Sequence, residues 1–372
     1  MVRERLPFAG TFRAAATFCV VCYHVWLADI AVKHVQGPAF LTILGAFAVA
    51  CFFALSGFLL ALPYVAAFVE GRKLPAWTAF ARDRFLRIYP LYAFAVITLV
   101  LLNVPNPGIH PGDAHDVISH LTFTFVFNHE SALTIDPPMW TMATDVQFYV
   151  LLPVLFAAVA FFDRKRRLAV LAASVVVLVA ASIVWRLAHA SAADAALQDF
   201  ALKVIIFEQL PAMFTAFGGG ILGAIAWYKA PRERRTLLGI AALLFALPFL
   251  YYGLNNLVPY IVMNDVFCGA GAAGVLVAGC ALLPNRLFES KPVMWAERLS
   301  YGVYLFHFFV VDYVRQFTAP LPPWPYFFAT AALAYVATSV LVLPMYLWIE
   351  RPFLVLKSVL NKRAEHYLEP AA

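Results

Sequence analysis

The chain has 372 residues, of which 63% are hydrophobic and 13% charged, with a formal net charge of +6. A soluble globular domain carries about 25% charged residues, so that class is excluded. A transmembrane barrel is excluded too, because the apolar runs do not alternate with period two. Runs of roughly 20 mostly apolar residues, long enough to span a bilayer, recur from end to end. They predict an all-α, polytopic membrane protein in a single domain over residues 1–372, with no attached soluble domain.

Ten spans are expected, at 9–31, 40–66, 87–103, 139–162, 168–188, 203–228, 236–254, 262–283, 300–318 and 325–349. The first carries Arg13 inside its start and reads as a retained helix, not a cleaved signal peptide. The second contains "FFALSGFLL", with Ser56 and Gly57. The third opens on "RDRFLRIYP", where Arg84 and Arg87 are three apart and share a helix face, and where Pro90 is tolerated in a first helical turn. The segment 115–130 is too short and polar to span and reads as interfacial or re-entrant. "MWTMATDVQFYVLLPVL" places Asp145 on the fourth span. "GGGILG", Gly218 to Gly223, predicts close helix packing through a small-xxx-small pair.

Orientation follows from the Lys and Arg residues. With the N-terminus inside, the inside segments hold nearly all of them, from Arg3, Arg5 and Arg13 to Lys357, Lys362 and Arg363. Lys33, Arg186, Lys203 and Arg315 lie outside or within spans. This bias predicts that both termini are cytoplasmic. It also accounts for the net positive charge through anionic lipid headgroups, without nucleic acid. Cys19 and Cys22 form a C-x-x-C on an apolar helix, outside the soluble context of a redox motif. The five cysteines all fall in apolar runs, so no disulfide framework is expected. His110, His115, His120 and His129 lie in or near the outside loop with no i, i+4 pair, so no metal site is expected.

Ionisable groups inside the bilayer are costly and mark function. Arg13 and His24 are eleven residues apart. Steps of about 100° nearly close three turns over that interval, so both point the same way, roughly 16 Å apart along the axis. One helix face thus carries a cation near the inner surface and a titratable base in the outer half. The alternative is a snorkelling arginine and a structurally paired histidine. Asp145 falls at a similar depth to His24, about 10 Å below the outer surface. It is therefore expected to orient the imidazole as a carboxylate partner. Arg84 and Arg87 suit bidentate phosphate contacts, or serve as ordinary positive-inside flanking charge. His307, within the ninth span, is either structural or a secondary site residue.

Taken together, several stretches resemble the acyltransferase 3 family of integral membrane acyltransferases. They are "FRAAATFCVVCYH", "FFALSGFLL", "RFLRIYPLY", "MWTMATDVQFYVLLP", "LSYGVYLFHFF" and "IERPF", and they run in family order from about residue 8 to 353. Two departures stand out: Gly10 occupies the position of a usual Asp, and Asp145 that of a usual Glu. The resemblance implies an acyl-CoA donor, acetyl-CoA first, and a hydroxyl acceptor on a sugar, surface glycan or glycoside. It implies His24 as catalytic base or as acyl-carrying nucleophile, with Asp145 beside it. Arg13, Arg84 and Arg87 would gather the donor's phosphates, and Ser56 and Gly57 would line the acyl path, the alternative for Ser56 being a small packing residue. Gln147, Tyr149, His307 and Glu350 are further site candidates from the matched motifs. No metal and no permanently bound cofactor is expected. A multi-pass protein of the bacterial inner membrane is expected, with self-association into a homo-oligomer left open. A transporter or flippase of a glycan or lipid precursor is the alternative, weakened by the lack of an internal repeat.

Overall fold

The computed structural model of the chain describes residues 6–33, 39–102, 113–254, 260–283 and 285–368. Arg3, Arg5 and His110 lie outside the described residues. Helices α1 (Pro7–Lys33), α2 (Ala39–Glu70) and α3 (Trp77–Leu101) come first. The short α4 (Ala114–Leu121) leads through 3₁₀ turns to α5 (Trp140–Ala160) and α6 (Arg167–Ala188). Two short helices, α7 (Ala193–Gln198) and α8 (Phe200–Phe207), precede α9 (Leu210–Lys229), α10 (Arg235–Leu254) and α11 (Tyr260–Leu282). The chain closes with α12 (Lys291–Thr318), α13 (Pro323–Met345), a π turn over 346–350 and α14 (Arg351–Leu368). Among the described residues there is no strand.

Nine helices among the described residues are long and apolar enough to cross a membrane, and the protein is a multi-pass membrane protein. The tenth long helix, α12, has 28 residues. Lys291, Glu297, Arg298, Asp312 and Arg315 lower the hydropathy of its ends, while Leu299 to Phe306 and Val310 to Val311 supply a largely buried middle.

The bundle is centred on α2 and α9, and glycine sets how closely they approach. A Cβ on Gly57 would run into the carbonyl of Phe217, and one on Gly220 into the carbonyl of Ala54. Gly219 and Gly223, four apart, turn instead to Ala273 and Val277 of α11. The expected close packing is therefore present on two faces of one helix.

Three expected elements differ, and the segment 115–130 forms no span. The third helix begins at Trp77, not at 87, so Pro90 lies well inside it. The ring removes the bond to the carbonyl of Leu86, and Tyr301 Oη donates to the nearby Ile88 carbonyl at 2.8 Å. The sixth span, 203–228, is split at Glu208 and Gln209 between α8 and α9. Fully buried Arg186 pins this break by donating to the Phe207 and Ala212 carbonyls, both at 2.9 Å, and by pairing with Asp265 at 3.0 Å. Arg186 therefore belongs to the packed interior, not to an outside loop. The segment 115–130 folds into the bundle: His120 is buried, stacks on Phe125 with centroids 3.9 Å apart, and its carbonyl accepts from Tyr92 Oη at 3.0 Å. The tenth span continues through the π turn into α14.

Candidate active site

Helices α1, α2, α3, α5 and α12 surround a cavity of about 140 Å³. Its wall includes Arg13, Ser56, Arg84, Arg87, Asp145 and Tyr149, all singled out in the sequence, together with Thr141, Ser300, Tyr301 and Tyr304. The placement follows from helical spacing. Arg84 and Arg87 share a face of α3, Asp145 and Tyr149 are four apart on α5, and Ser300, Tyr301 and Tyr304 form a stripe on α12.

The three guanidinium groups are not equivalent. Arg87 is ion-paired with the buried carboxylate of Glu350, which the π turn aims inward, and lies over the Tyr301 ring. Arg84 lies over the Phe80 ring, and its Nε is buried without a hydrogen-bond partner among the described residues. Arg13 faces the fields of Arg84 and Arg87 across the cavity. Asp145 lies beside the hydroxyls of Tyr149 and Ser56 and sits in the fields of Arg84 and Arg13, and its Oδ1 has no hydrogen-bond partner among the described residues. Buried polar atoms without partners are rare in folded proteins. Two of them on opposite charges of one cavity wall leave it able to accept both a donor and an acceptor group from a ligand.

His24 is not paired with Asp145, contrary to expectation. Its Nδ1 lies 3.0 Å from Nε2 of His307 and 3.1 Å from the Val20 carbonyl, while Nδ1 of His307 lies 2.7 Å from the Tyr304 carbonyl. A similar depth did not bring the carboxylate to the ring, because Asp145 faces α2 and α3 whereas His24 faces α12. The contacts fix the tautomers. A carbonyl only accepts, so His307 carries its proton on Nδ1. Two imidazoles this close in an apolar interior do not both charge, so His307 Nε2 is an acceptor and His24 Nδ1 is the donor. His24 Nε2 is then the bare, basic nitrogen.

Tyr304 stands between the cavity and the histidine pair. Its ring centroid is 5.7 Å from that of His307 and 5.4 Å from that of Phe52. Its hydroxyl donates to the Pro138 carbonyl at 3.1 Å and lies 2.7 Å from Thr141 Oγ1.

Two other candidates sit elsewhere. Gly57 faces α9, not the cavity, since its missing side chain admits the Phe217 carbonyl. Gln147 caps the break: its Oε1 accepts from the Leu210 backbone at 3.0 Å, and its amide reaches Gln209. The vacated space at Gly10 is filled by the carboxylate of Glu297 from α12. The expectation of no metal site meets one qualification: Asp113, His115 and Asp116 offer ligand atoms within 4.8 Å of one another. Two already have structural work, Asp113 capping α4 and Asp116 accepting from Ser131 Oγ at 2.6 Å. The sequence reading missed Ser300, Tyr301 and Tyr304, although polar and aromatic residues spaced three and four apart before His307 mark one helix face.

Comparison with known proteins shows the family of the chain. A family model described as an acyltransferase domain matches residues 10–343. The chain is 24% identical to acyltransferase MdmB of Streptomyces mycarofaciens over 342 residues, 83% of this chain and 80% of that protein. It is 22% identical to peptidoglycan O-acetyltransferase OatA of Listeria monocytogenes, over 83% of this chain and 50% of that protein. It is 25% identical to nodulation protein 10 of Rhizobium leguminosarum, over 71% of each. No solved structure matches.

Proposed function

The chain belongs to the acyltransferase 3 family, and from that premise we propose that it moves an acyl group, acetyl in the first instance, from acyl-CoA to a hydroxyl of a carbohydrate or glycoside. The observation that carries this reading is the convergence of Arg13, Arg84 and Arg87 on one cavity, with Arg84 Nε lacking a partner among the described residues. Guanidinium groups suit phosphate, and acyl-CoA is polyanionic. The cavity is smaller than the ~300–1,000 Å³ that encloses a drug-sized ligand. It therefore takes only part of the donor, the phosphates against the arginines, with the adenosine and the pantetheine arm extending beyond it.

In the proposed reaction the acceptor oxygen attacks the thioester carbonyl while His24 Nε2 takes its proton. The carbon–sulfur bond breaks, and the departing thiolate takes that proton from the imidazolium, leaving free CoA and the acyl ester. A covalent acyl-imidazole on the same nitrogen is the variant. His307 orients the base, and Asp145 belongs to the donor cavity through Tyr149, Ser56 and the two arginines. No resident cofactor or metal enters this scheme. Donor use from the cytoplasm fits the charge bias, which predicts both termini inside, in a bacterial inner membrane. Since one relative is named a peptidoglycan O-acetyltransferase, glycan fragments are the first acceptors to try.

The test is release of CoA from acetyl-CoA by the purified protein with muropeptide, oligosaccharide and glycoside acceptors. Acceptor-dependent release, lost on His24→Ala by about 10²–10⁴-fold, is expected. No release with any acceptor, together with no stabilisation by acetyl-CoA, would overturn the reading in favour of a transporter or flippase.

A further inference from the structure

Tyr304 and Thr141 both line the cavity, and both are buried. Tyr304 Oη lies 2.7 Å from Thr141 Oγ1, and each oxygen lies 3.1 Å from the Pro138 carbonyl. Each hydroxyl carries one hydrogen and the carbonyl oxygen carries none. The three contacts are therefore served by two hydrogens, and either hydroxyl can serve the carbonyl. If Tyr304 turns its hydrogen elsewhere, Thr141 donates to Pro138 in its place. The other hydroxyls of the described wall have no such stand-in. Ser300 donates to the Glu297 carbonyl at 2.7 Å and Tyr301 to that of Ile88 at 2.8 Å, while Ser56 and Tyr149 lie beside Asp145.

Tyr304 is also joined to the histidines. It stands one turn before His307 on α12, and its backbone carbonyl accepts from His307 Nδ1 at 2.7 Å. The releasable hydrogen thus belongs to the residue that separates the cavity from the base. We propose that Tyr304 is a catalytic residue: its hydroxyl turns from Pro138 to the thioester carbonyl oxygen of the donor and stabilises the oxyanion formed there, with Thr141 positioning it. This rests on the acyl-transfer reading above, in which the pantetheine arm passes Tyr304 to bring the thioester to His24. As the acceptor oxygen bonds to the thioester carbon, the carbonyl π pair moves onto its oxygen. The phenol donates a hydrogen bond to that charge and keeps its proton. The carbonyl reforms as the carbon–sulfur bond breaks.

The test reads the carbonyl itself. Acetyl-CoA isotope-labelled at the acetyl carbonyl carbon is bound to His24→Ala protein, and its stretch is followed by infrared difference spectroscopy. The stretch should lie at lower frequency than in free acetyl-CoA, and adding Tyr304→Phe should abolish that shift while binding persists. With His24 intact, Tyr304→Phe should lower kcat about 10²-fold with little change in the KM for acetyl-CoA. Thr141→Val leaves Pro138 without a hydroxyl donor once Tyr304 turns, so kcat should fall about five- to tenfold, whereas Thr141→Ser should keep the rate. This second variant carries the test should Tyr304→Phe fail to fold. A carbonyl shift that survives Tyr304→Phe, or a full rate in Tyr304→Phe or Thr141→Val, would overturn the proposal. Binding is measured separately, as thermal stabilisation by acetyl-CoA. No binding to the wild type sinks the donor reading and this proposal with it; binding without a carbonyl shift sinks this proposal alone.

Discussion

His307→Leu separates a base from the residue that orients it. His307 is fully buried, and its Nε2 accepts from His24 Nδ1 at 3.0 Å. Leucine removes that acceptor without opening a large void. The donor is not orphaned, because the Val20 carbonyl lies 3.1 Å from the same Nδ1. The loss is therefore one neutral hydrogen bond, about 1 kcal/mol, and kcat should fall about five- to tenfold. Removing the base itself costs about 10²–10⁴-fold, so the two variants are separable. The KM for acetyl-CoA should be unchanged, since neither histidine lines the donor cavity. His307→Gln offers a side-chain carbonyl as acceptor and should keep most of the rate. His24→Ala with His307→Leu should be no slower than His24→Ala alone, because residues acting as a unit are non-additive. Steady-state rates with acetyl-CoA and a glycan acceptor, on protein checked for thermal stability, are the assay. A His307→Leu defect as deep as that of His24→Ala would refute the assignment and make His307 the base. A wild-type rate would mean the bond does not set the ring.

Replacing Arg84 and Arg87 together with Ala should weaken acetyl-CoA binding at least tenfold, at about 1.5–3 kcal/mol per charge-assisted contact. Arg87→Ala alone should also destabilise the fold by about 3 kcal/mol, because it strands the Glu350 carboxylate; Glu350→Gln in that background should recover the melting temperature but not the binding. Burial pushes His120 down to about 4, against an ordinary value of about 6.5. The neutral ring is thus favoured in the folded loop, whose stability is complete above about 6.5 and declines by about 3 kcal/mol as the pH falls to about 4. Hydrogen exchange across 113–136 should report this, and His120→Phe should abolish the pH dependence. A Cys placed at Asp113 in a cysteine-free background should label from outside the cell, and labelling only from the cytoplasm would reverse the topology.

What the sequence made legible was mostly local. Arg84 and Arg87 share a face by spacing alone, as do Arg13 and His24, and both pairs lie on the expected helices. Asp145, Tyr149 and Ser56 reach the same cavity as the arginines because each sits at the buried turn of its span. Partners across helices were harder to read. His24 and His307 are 283 positions apart, and nothing in either stretch says which helix α1 turns towards. Depth alone favoured Asp145, yet two groups at one depth meet only if their helices face each other. The late start assigned to the third helix came from reading Pro90 as a boundary. The break at Glu208 was passed over because its flanks are apolar, although a buried Glu-Gln pair followed by proline marks an interrupted span.

The π turn at 346–350 has a consequence for the whole C-terminal rod. A π turn holds one residue more than an α turn, and one residue is about 100° of rotation. Upstream, that rod packs α13 against α12; at the turn itself, Glu350 points inward to Arg87. Downstream, α14 lays Asn361 against Arg82 and Asp83 of α3, with Asn361 Nδ2 donating to Asp83 Oδ2 at 2.8 Å. An unbroken α-helix has a single phase and would satisfy one of these engagements at the expense of the other. The extra residue works as a phase shifter, letting a membrane helix and a docking helix be tuned independently though they share one backbone. Deleting any one residue of the turn would leave a well-formed helix with its far half rotated off its seat. The damage would then surface some ten residues away from the cut.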